Sequence, residues 1–361
     1  MKIKHTILAA SLLAAMSAQA QTNFSVYGTA DLAVNNFATK STAGVKTEEN
    51  NIVAGGMSTS NIGFRGDREI ATGLKATFQF EFEVDQSSDT GIAKTRAGLI
   101  GLAGNMGALT IGRRTTLVKV AIDALDAEDI NTTGFLGDNA RESRLNDRVT
   151  YSSPDFSGFS ADVQIGFGSN VRETSAVGVV SSTKNGKIDD SMSYGIKYAN
   201  GPLTVRWVTE TIKDSSAKKI KIGEGDAKYE FLPATAGQVA DRKNDALGAT
   251  YDFGLAKLFF VDAKTKQGTA ATEVSLNTQT VGVRVPFGAY TFVAKTGTGK
   301  AKLTDSTVKA DVDAYQLLVM YALAKDTTLY AAYGAESISH SSFTNKKFEQ
   351  TNAQLGLRYR F

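Results

Sequence analysis

Leu74-Lys75-Ala76-Thr77-Phe78-Gln79-Phe80-Glu81-Phe82-Glu83-Val84-Asp85 alternates without a break: every even-numbered residue is apolar and every odd-numbered one is polar. Successive side chains of an extended chain point to opposite faces, so this run predicts a strand with one apolar and one water-compatible face. The chain ends in the same way, with Leu355, Leu357, Tyr359 and Phe361 on one face and Gln354, Gly356, Arg358 and Arg360 on the other. Further stripes run through Leu247/Ala249/Tyr251/Phe253, Val281/Val283/Val285/Phe287 and Tyr315/Leu317/Val319/Tyr321. A soluble sandwich also alternates, so the period alone leaves an exported β-protein or adhesin open.

The connections narrow the choice. Seven short turn-forming segments recur: Ala71-Thr72-Gly73, Gly104–Gly107, Pro154–Gly158, Asn200-Gly201-Pro202, Asp252-Phe253-Gly254, Pro286-Phe287-Gly288 and Ala324-Lys325-Asp326. Gly, Pro, Asn and Asp supply the backbone angles that tight reversals need. Between them lie eight longer polar segments, near 36–58, 85–95, 114–146, 168–192, 211–245, 263–278, 296–313 and 335–352. Seven turns and eight loops make fifteen connections, hence sixteen strands with both termini on the short-turn side. This predicts an all-β fold: a 16-stranded antiparallel transmembrane β-barrel with short periplasmic turns and long extracellular loops. In hydrocarbon every backbone N–H and C=O must be paired, so a sheet can span only if it closes on itself. Sixteen strands enclose a lumen too wide for side chains to fill, so water occupies it. Tyr27, Phe64, Phe167, Tyr251, Tyr321, Tyr359 and Phe361 are candidates for the aromatic girdles at the two interfaces.

The first twenty residues read as a secretory signal: Lys2 and Lys4, a short apolar run from Ile7 to Ala15, then Ala18-Gln19-Ala20 as the small-x-small cleavage pattern. The expected organisation is therefore a signal peptide over 1–20 and one barrel domain over 21–361, exported to the cell outer membrane. The apolar run is too short to span as a helix, which needs roughly 20 residues, and no later window carries that many without a charge. An inner-membrane helical bundle is thus excluded. The net charge of +3 gives no reason to expect nucleic acid as a partner, and the absence of cysteine excludes a disulfide framework.

Nine stretches, in order along the whole mature chain, resemble the general porins of Gram-negative bacteria, particularly the β-proteobacterial type. They are Ser25–Asp31 (SVYGTAD), Asn61–Gly66 (NIGFRG), Gly73–Gln79, Gly107–Arg113, Tyr151–Phe159, Ala199–Leu203, Tyr251–Gly254, Val285–Gly288 and the ending Gly356–Phe361. The resemblance implies a homotrimer in contact with outer-membrane lipid and lipopolysaccharide. It also implies that Phe361 forms part of the signal read by the barrel-assembly machinery. The third long loop, about Thr115 to Asn146, is implied to fold into the lumen and narrow it, bringing Asp123, Asp126, Glu128, Asp129, Asp138 and Glu142 with it. A solvated surface loop is equally consistent with those acids taken alone. By the same resemblance Arg65, Arg96 and Arg144 fall at positions of pore-constriction arginines. Parity supports Arg65, opposite Ile62 and Phe64, and puts Glu81 on the polar face of its strand; around Arg96 the alternation is blurred by Gly98 and Gly101. Asn61 departs from the family pattern, where a basic residue is common, and this predicts weak ion selectivity leaning to anions.

Rival uses of the same residues are weaker. The mature chain has one histidine, His340, between Ser339 and Ser341, and adjacency in a loop does not supply the oriented geometry of catalysis, so no enzyme is expected. No metal or cofactor is expected from one histidine and scattered acids. Thr296–Lys300 (TGTGK) has part of a phosphate-loop pattern, but Ala294 stands where the first Gly should be, and the segment reads as a loop. A substrate-specific channel stays open as an alternative, with Tyr330 at inward parity.

Overall fold

The computed structural model describes residues 22–89, 91–127, 143–167, 189–215, 220–222, 229–231, 240–268, 273–304, 307–341 and 347–361. The proposed signal segment 1–20 lies outside these, as do Glu128, Asp129, Asp138 and Glu142.

The strands in chain order are β1 (Thr22–Lys40), β2 (Lys46–Ala54), β3 (Asn61–Ala71), β4 (Leu74–Asp85), β5 (Gly91–Gly104) and β6 (Gly107–Thr115). A helix, α1 (Leu117–Leu125), follows, then β7 (Arg144–Ser152), β8 (Phe159–Gly166), β9 (Asp189–Asn200) and β10 (Leu203–Ser215). A small separate hairpin, β11 (Ile220–Ile222) with β12 (Tyr229–Phe231), precedes the last seven strands. These are β13 (Ala240–Asp252), β14 (Lys257–Gln267), β15 (Val274–Phe287), β16 (Tyr290–Leu303), β17 (Lys309–Ala322), β18 (Thr327–His340) and β19 (Lys347–Arg360). Seventeen segments form one antiparallel sheet, and two of them, β2 and β3, are pieces of a single barrel strand paired along β1. The barrel therefore has sixteen strands. It closes where β1 meets β19, in register from Thr29↔Arg360 to Lys40↔Glu349, and the seam is completed by Gly28 N–H to Phe361 O (2.9 Å) and Phe361 N–H to Gly28 O (3.1 Å).

All seven predicted turns lie at one end, and in six of them backbone geometry explains the composition. Gly73, Gly107, Gly158, Gly201, Gly254 and Gly288 all have positive φ, which only glycine adopts without cost.

The two faces separate as the alternation predicts. Leu355, Leu357, Tyr359 and Phe361 are exposed on the outside, whereas Gln350, Asn352, Gln354 and Arg358 are buried on the inside. Outward rings pack in pairs toward the turn end: Tyr290 with Tyr321 (4.8 Å, tilted), Tyr251 with Phe253 (4.5 Å, tilted) and Tyr359 with Phe361 (6.0 Å, stacked). Tyr27 is a correction. Its hydroxyl bonds to Glu81 and Gln79 inside the barrel, because it shares parity with Ser25 rather than with the outward Phe24 and Val26.

The loops also differ from the sequence reading. Strands β1 and β2 extend to Lys40 and from Lys46, β14 and β15 to Gln267 and from Val274, β16 and β17 to Leu303 and from Lys309, and β18 and β19 to His340 and from Lys347, so most of 36–58, 263–278, 296–313 and 335–352 is β-structure. Thr296–Lys300, expected as a loop, lies within β16. The cause is that a ladder of hydrogen bonds continues past the lipid, where the outward face meets water and needs no apolar residues. A strand of 14 residues, such as β17, is about 48 Å long, and at a tilt near 40° rises roughly 36 Å against an apolar band of about 25 Å. Its outer rows there are polar: Lys302 stands opposite Lys309, and Lys300 opposite Asp311.

Candidate functional site

The inner wall of β1, β3, β4, β5 and β7 gathers four of the residues singled out from sequence. Glu81 points inward as its parity requires. It accepts a hydrogen bond from Tyr27 Oη (2.9 Å) and an ion pair from Arg96 Nε (2.6 Å). Arg96 reaches Glu83 as well, with Nη1 at 3.4 Å, and Lys94 approaches Glu83 at 3.2 Å. Arg96 can do this because β5 carries an extra residue where the β4–β5 register slips between Glu81 and Phe82. A β-bulge of this kind re-aims one side chain, and it is why simple alternation is blurred there. Arg65 lies over the Tyr27 ring (5.0 Å to the centroid) with Nε donating to Ser25 Oγ (3.2 Å). Gly63 makes that arrangement possible, because a Cβ there would run into the Tyr27 ring. Arg144 opens β7 beside Thr115 and is within electrostatic range of Arg96, Glu81, Glu83 and Asp123. Asn61 stands opposite Glu83 in register and donates to Thr59 O (2.9 Å).

Tyr27, Gln79, Glu83 and Lys94 belong to the same cluster and were missed as site residues. The signal was present: Gln79 and Glu83 share the parity of Glu81 in the opening run, and Tyr27 shares that of Ser25.

The third loop begins inside the barrel. Thr116 caps α1, its Oγ1 accepting from Lys119 N–H (3.2 Å). The helix buries Leu117, Val118, Ala121 and Leu125 against Val208, Ala246, Val261 and Ala263 of the inner wall. Gly248 is required there, since any Cβ would strike Leu125. The stripe Leu117/Ala121/Leu125 recurs at helical spacing, which is what docks this face. The opposite face carries Asp123, half exposed and paired with Lys119 (2.8 Å). Asp126 turns to the far wall and pairs with Lys295 Nζ at 2.8 Å, the lysine being almost fully buried. The structure therefore brings Arg65, Arg96, Arg144 and Glu81 together, sets Asp123 within range of Arg144, and puts Asp126 on the opposite side. His340 ends β18; its neighbours Ser339 and Ser341 bond through their hydroxyls to the main chain of β17.

Within this cluster four cations, Arg65, Arg96, Arg144 and Lys94, surround two acids, Glu81 and Glu83. In a water-lined passage such an excess raises the local concentration of anions.

Comparison with known proteins agrees with the architecture. The family model described as Gram-negative porin matches residues 6–341. Outer membrane porin protein 32 of Delftia acidovorans is 27% identical over 390 aligned residues, covering 99% of this chain and 100% of the relative. Among solved structures, the anion-selective porin from Comamonas acidovorans superposes with a TM-score of 0.72 at 23% identity, covering 94% of this chain and 100% of that one. The trimer form of in-vitro folded OmpT from Vibrio cholerae superposes with a TM-score of 0.67 at 16% identity, with 94% and 100% covered. With a closed sixteen-stranded barrel, a third loop that begins inside it and a family match over residues 6–341, the chain belongs to the Gram-negative porins.

Proposed function

We propose that the protein is a general diffusion porin: a water-filled channel that passes small hydrophilic solutes and ions through the outer membrane without energy input, with a weak preference for anions. The observation that carries this reading is the inner-wall cluster of Arg65, Arg96, Arg144 and Lys94 around Glu81 and Glu83. The two carboxylates offset much of the positive charge, which is why the preference is weak rather than strong. Asn61 in place of a basic residue acts in the same direction. Single-channel recording in a planar bilayer under a salt gradient tests it. Ohmic steps with a small reversal potential of the anion sign are expected. A strong cation preference, or a folded barrel that passes no current, would sink the reading.

A substrate-specific or strongly anion-selective channel is the second reading. It is favoured by the cation excess and by the likeness to the anion-selective porin from Comamonas acidovorans; a reversal potential near the anion limit would establish it.

The working unit is proposed to be a homotrimer, supported by the trimeric form among the similar structures; current steps in groups of three test it. Export by a cleaved signal over 1–20 is checked by N-terminal sequencing of the membrane-inserted protein. Contact with the phosphates of lipopolysaccharide is supported by the outward Lys300, Lys302 and Lys309 beyond the apolar band. Phe361, which directly follows the closing strand β19 and is exposed on its outer face, is proposed as the group that the barrel-assembly machinery reads.

A further inference from the structure

Six residues, Gly55–Ser60, stand opposite two residues of β1. The β1–β2 ladder ends at Leu32↔Ala54 and the β1–β3 ladder resumes at Thr29↔Asn61, so Ala30 and Asp31 face the whole excursion. The excursion runs inward. A Cβ added at Gly56 would run into the Tyr330 hydroxyl, the Ala33 methyl and the Gln354 side chain, which are inward-facing groups of β18, β1 and β19. The segment therefore lies across the inside of the seam that closes the barrel.

Asp31 fixes it there. The fully buried carboxylate accepts from Ser58 N–H (2.8 Å) and Met57 N–H (3.3 Å) on one oxygen and from Tyr330 Oη (2.6 Å) on the other. Its main chain accepts from Gly55 N–H (2.7 Å) and from Ser60 Oγ (3.0 Å). Arg358 Nη1 donates to Ser58 Oγ (3.0 Å). A buried carboxylate persists only when its oxygens are satisfied in this way. Met57 joins the same apolar cluster as Ala127, at the end of the described part of the third loop. Both intrusions thus dock on one continuous lining, which meets the arginine wall at β1. Within the excursion only Ser58 and Thr59 keep part of their surface open, and Ser58 is held by Arg358.

We infer that Gly55–Ser60 is a second lumen-narrowing element, which bounds the passage together with the third loop and presents Thr59 to the passing solute. Asp31 is its positioning residue. The inference rests on the channel reading and adds a residue to it.

The chain has no cysteine, so Thr59→Cys can be modified alone in the refolded channel with a cationic or an anionic methanethiosulfonate. The expected result is a lower single-channel conductance with either reagent. The reversal potential should move toward anions with the cationic one and toward cations with the anionic one. Thr351→Cys, on the outer face of β19, should show neither change. Modification of Thr59→Cys proven by mass but silent in both readouts would overturn the inference. So would a Thr59→Cys that fails to react in channels where Arg65→Cys reacts. Asp31→Asn and Tyr330→Phe, screened for intact heat-modifiable mobility, should give larger and noisier current steps; unchanged steps from folded variants would remove Asp31 as the group that holds the segment. An unmodified protein that carries no current would instead sink the channel reading itself.

Discussion

Arg96 Nε lies 2.6 Å from Glu81 Oε1, and the pair exists because β5 holds one residue more than β4 at that level. Both side chains are largely shielded, so this contact joins a fixed donor to a fixed acceptor rather than two mobile surface groups. It sets how much positive charge the wall shows to a passing ion.

Removing the acid should therefore unmask the arginines. Glu81→Gln keeps the hydrogen-bonding shape toward Tyr27 but deletes one negative charge. A unit charge about 4 Å away in a water-like medium is worth ~1 kcal/mol, or about fivefold in an equilibrium. The anion-to-cation permeability ratio from reversal potentials should rise by up to that factor. Arg144→Glu should move it the other way, and both effects should shrink in molar salt.

The anchoring of the third loop gives a second expectation. Gly248→Val forces Leu125 off the wall, and overpacking of this kind costs ~1–3 kcal/mol. Lys295→Met leaves Asp126 without its buried partner, and breaking such a pair costs up to about 3–5 kcal/mol. Each should lower the temperature at which the folded band shifts on a gel. Each should also add rapid flicker to single-channel traces, because the inner end of the loop loses its seat.

At the seam, Gly28 faces outward beneath the Phe361 ring, and a Cβ there would meet that ring and the Asn61 carbonyl. Gly28→Val should cost ~1–3 kcal/mol and reduce the yield of heat-resistant barrel on refolding. Ala30→Val, two residues on at the same parity, is the control and should refold normally.

Depth in the membrane supplies a fourth test, with opposite outcomes on the two faces. Leu355→Arg puts a charge on the lipid face and should cost ~2–4 kcal/mol near the bilayer midplane. Thr280→Arg, inward on β15 by its register with Val261, should leave lipid partition untouched and report instead in conductance. Urea titrations into vesicles of matched thickness separate the two.

Much of this is legible in the sequence because lipid and water impose a strict period of two. The run Leu74–Asp85 puts Glu81 on the wall, and Arg65 follows from Ile62 and Phe64. Arg96 is harder, since a bulge breaks the period at the point where it re-aims the side chain. Tyr27 suggests a girdle by its residue type, although Phe24 and Val26 already mark the outer face. The Gly55–Ser60 excursion has no sequence signature beyond a small-residue run, which reads as a loop; its direction depends on Tyr330, 299 residues from Asp31 in the chain. The strand extensions escape because the apolar stripe changes face along the strand: Val274, Leu276, Ala310, Val312, Ile338 and Phe348 are buried inward while the outward row is polar, so no single parity runs from end to end.

Those extensions turn the outer third of the barrel into a stiff collar. Its described crests, the 41–45 turn and the strand ends at Gln267, Leu303, Lys309 and His340, are carried by strands locked by continuous ladders. Foreign peptides inserted at these crests would stand clear of the cell surface on a rigid pedestal, away from the passage below, which makes the barrel a natural display scaffold.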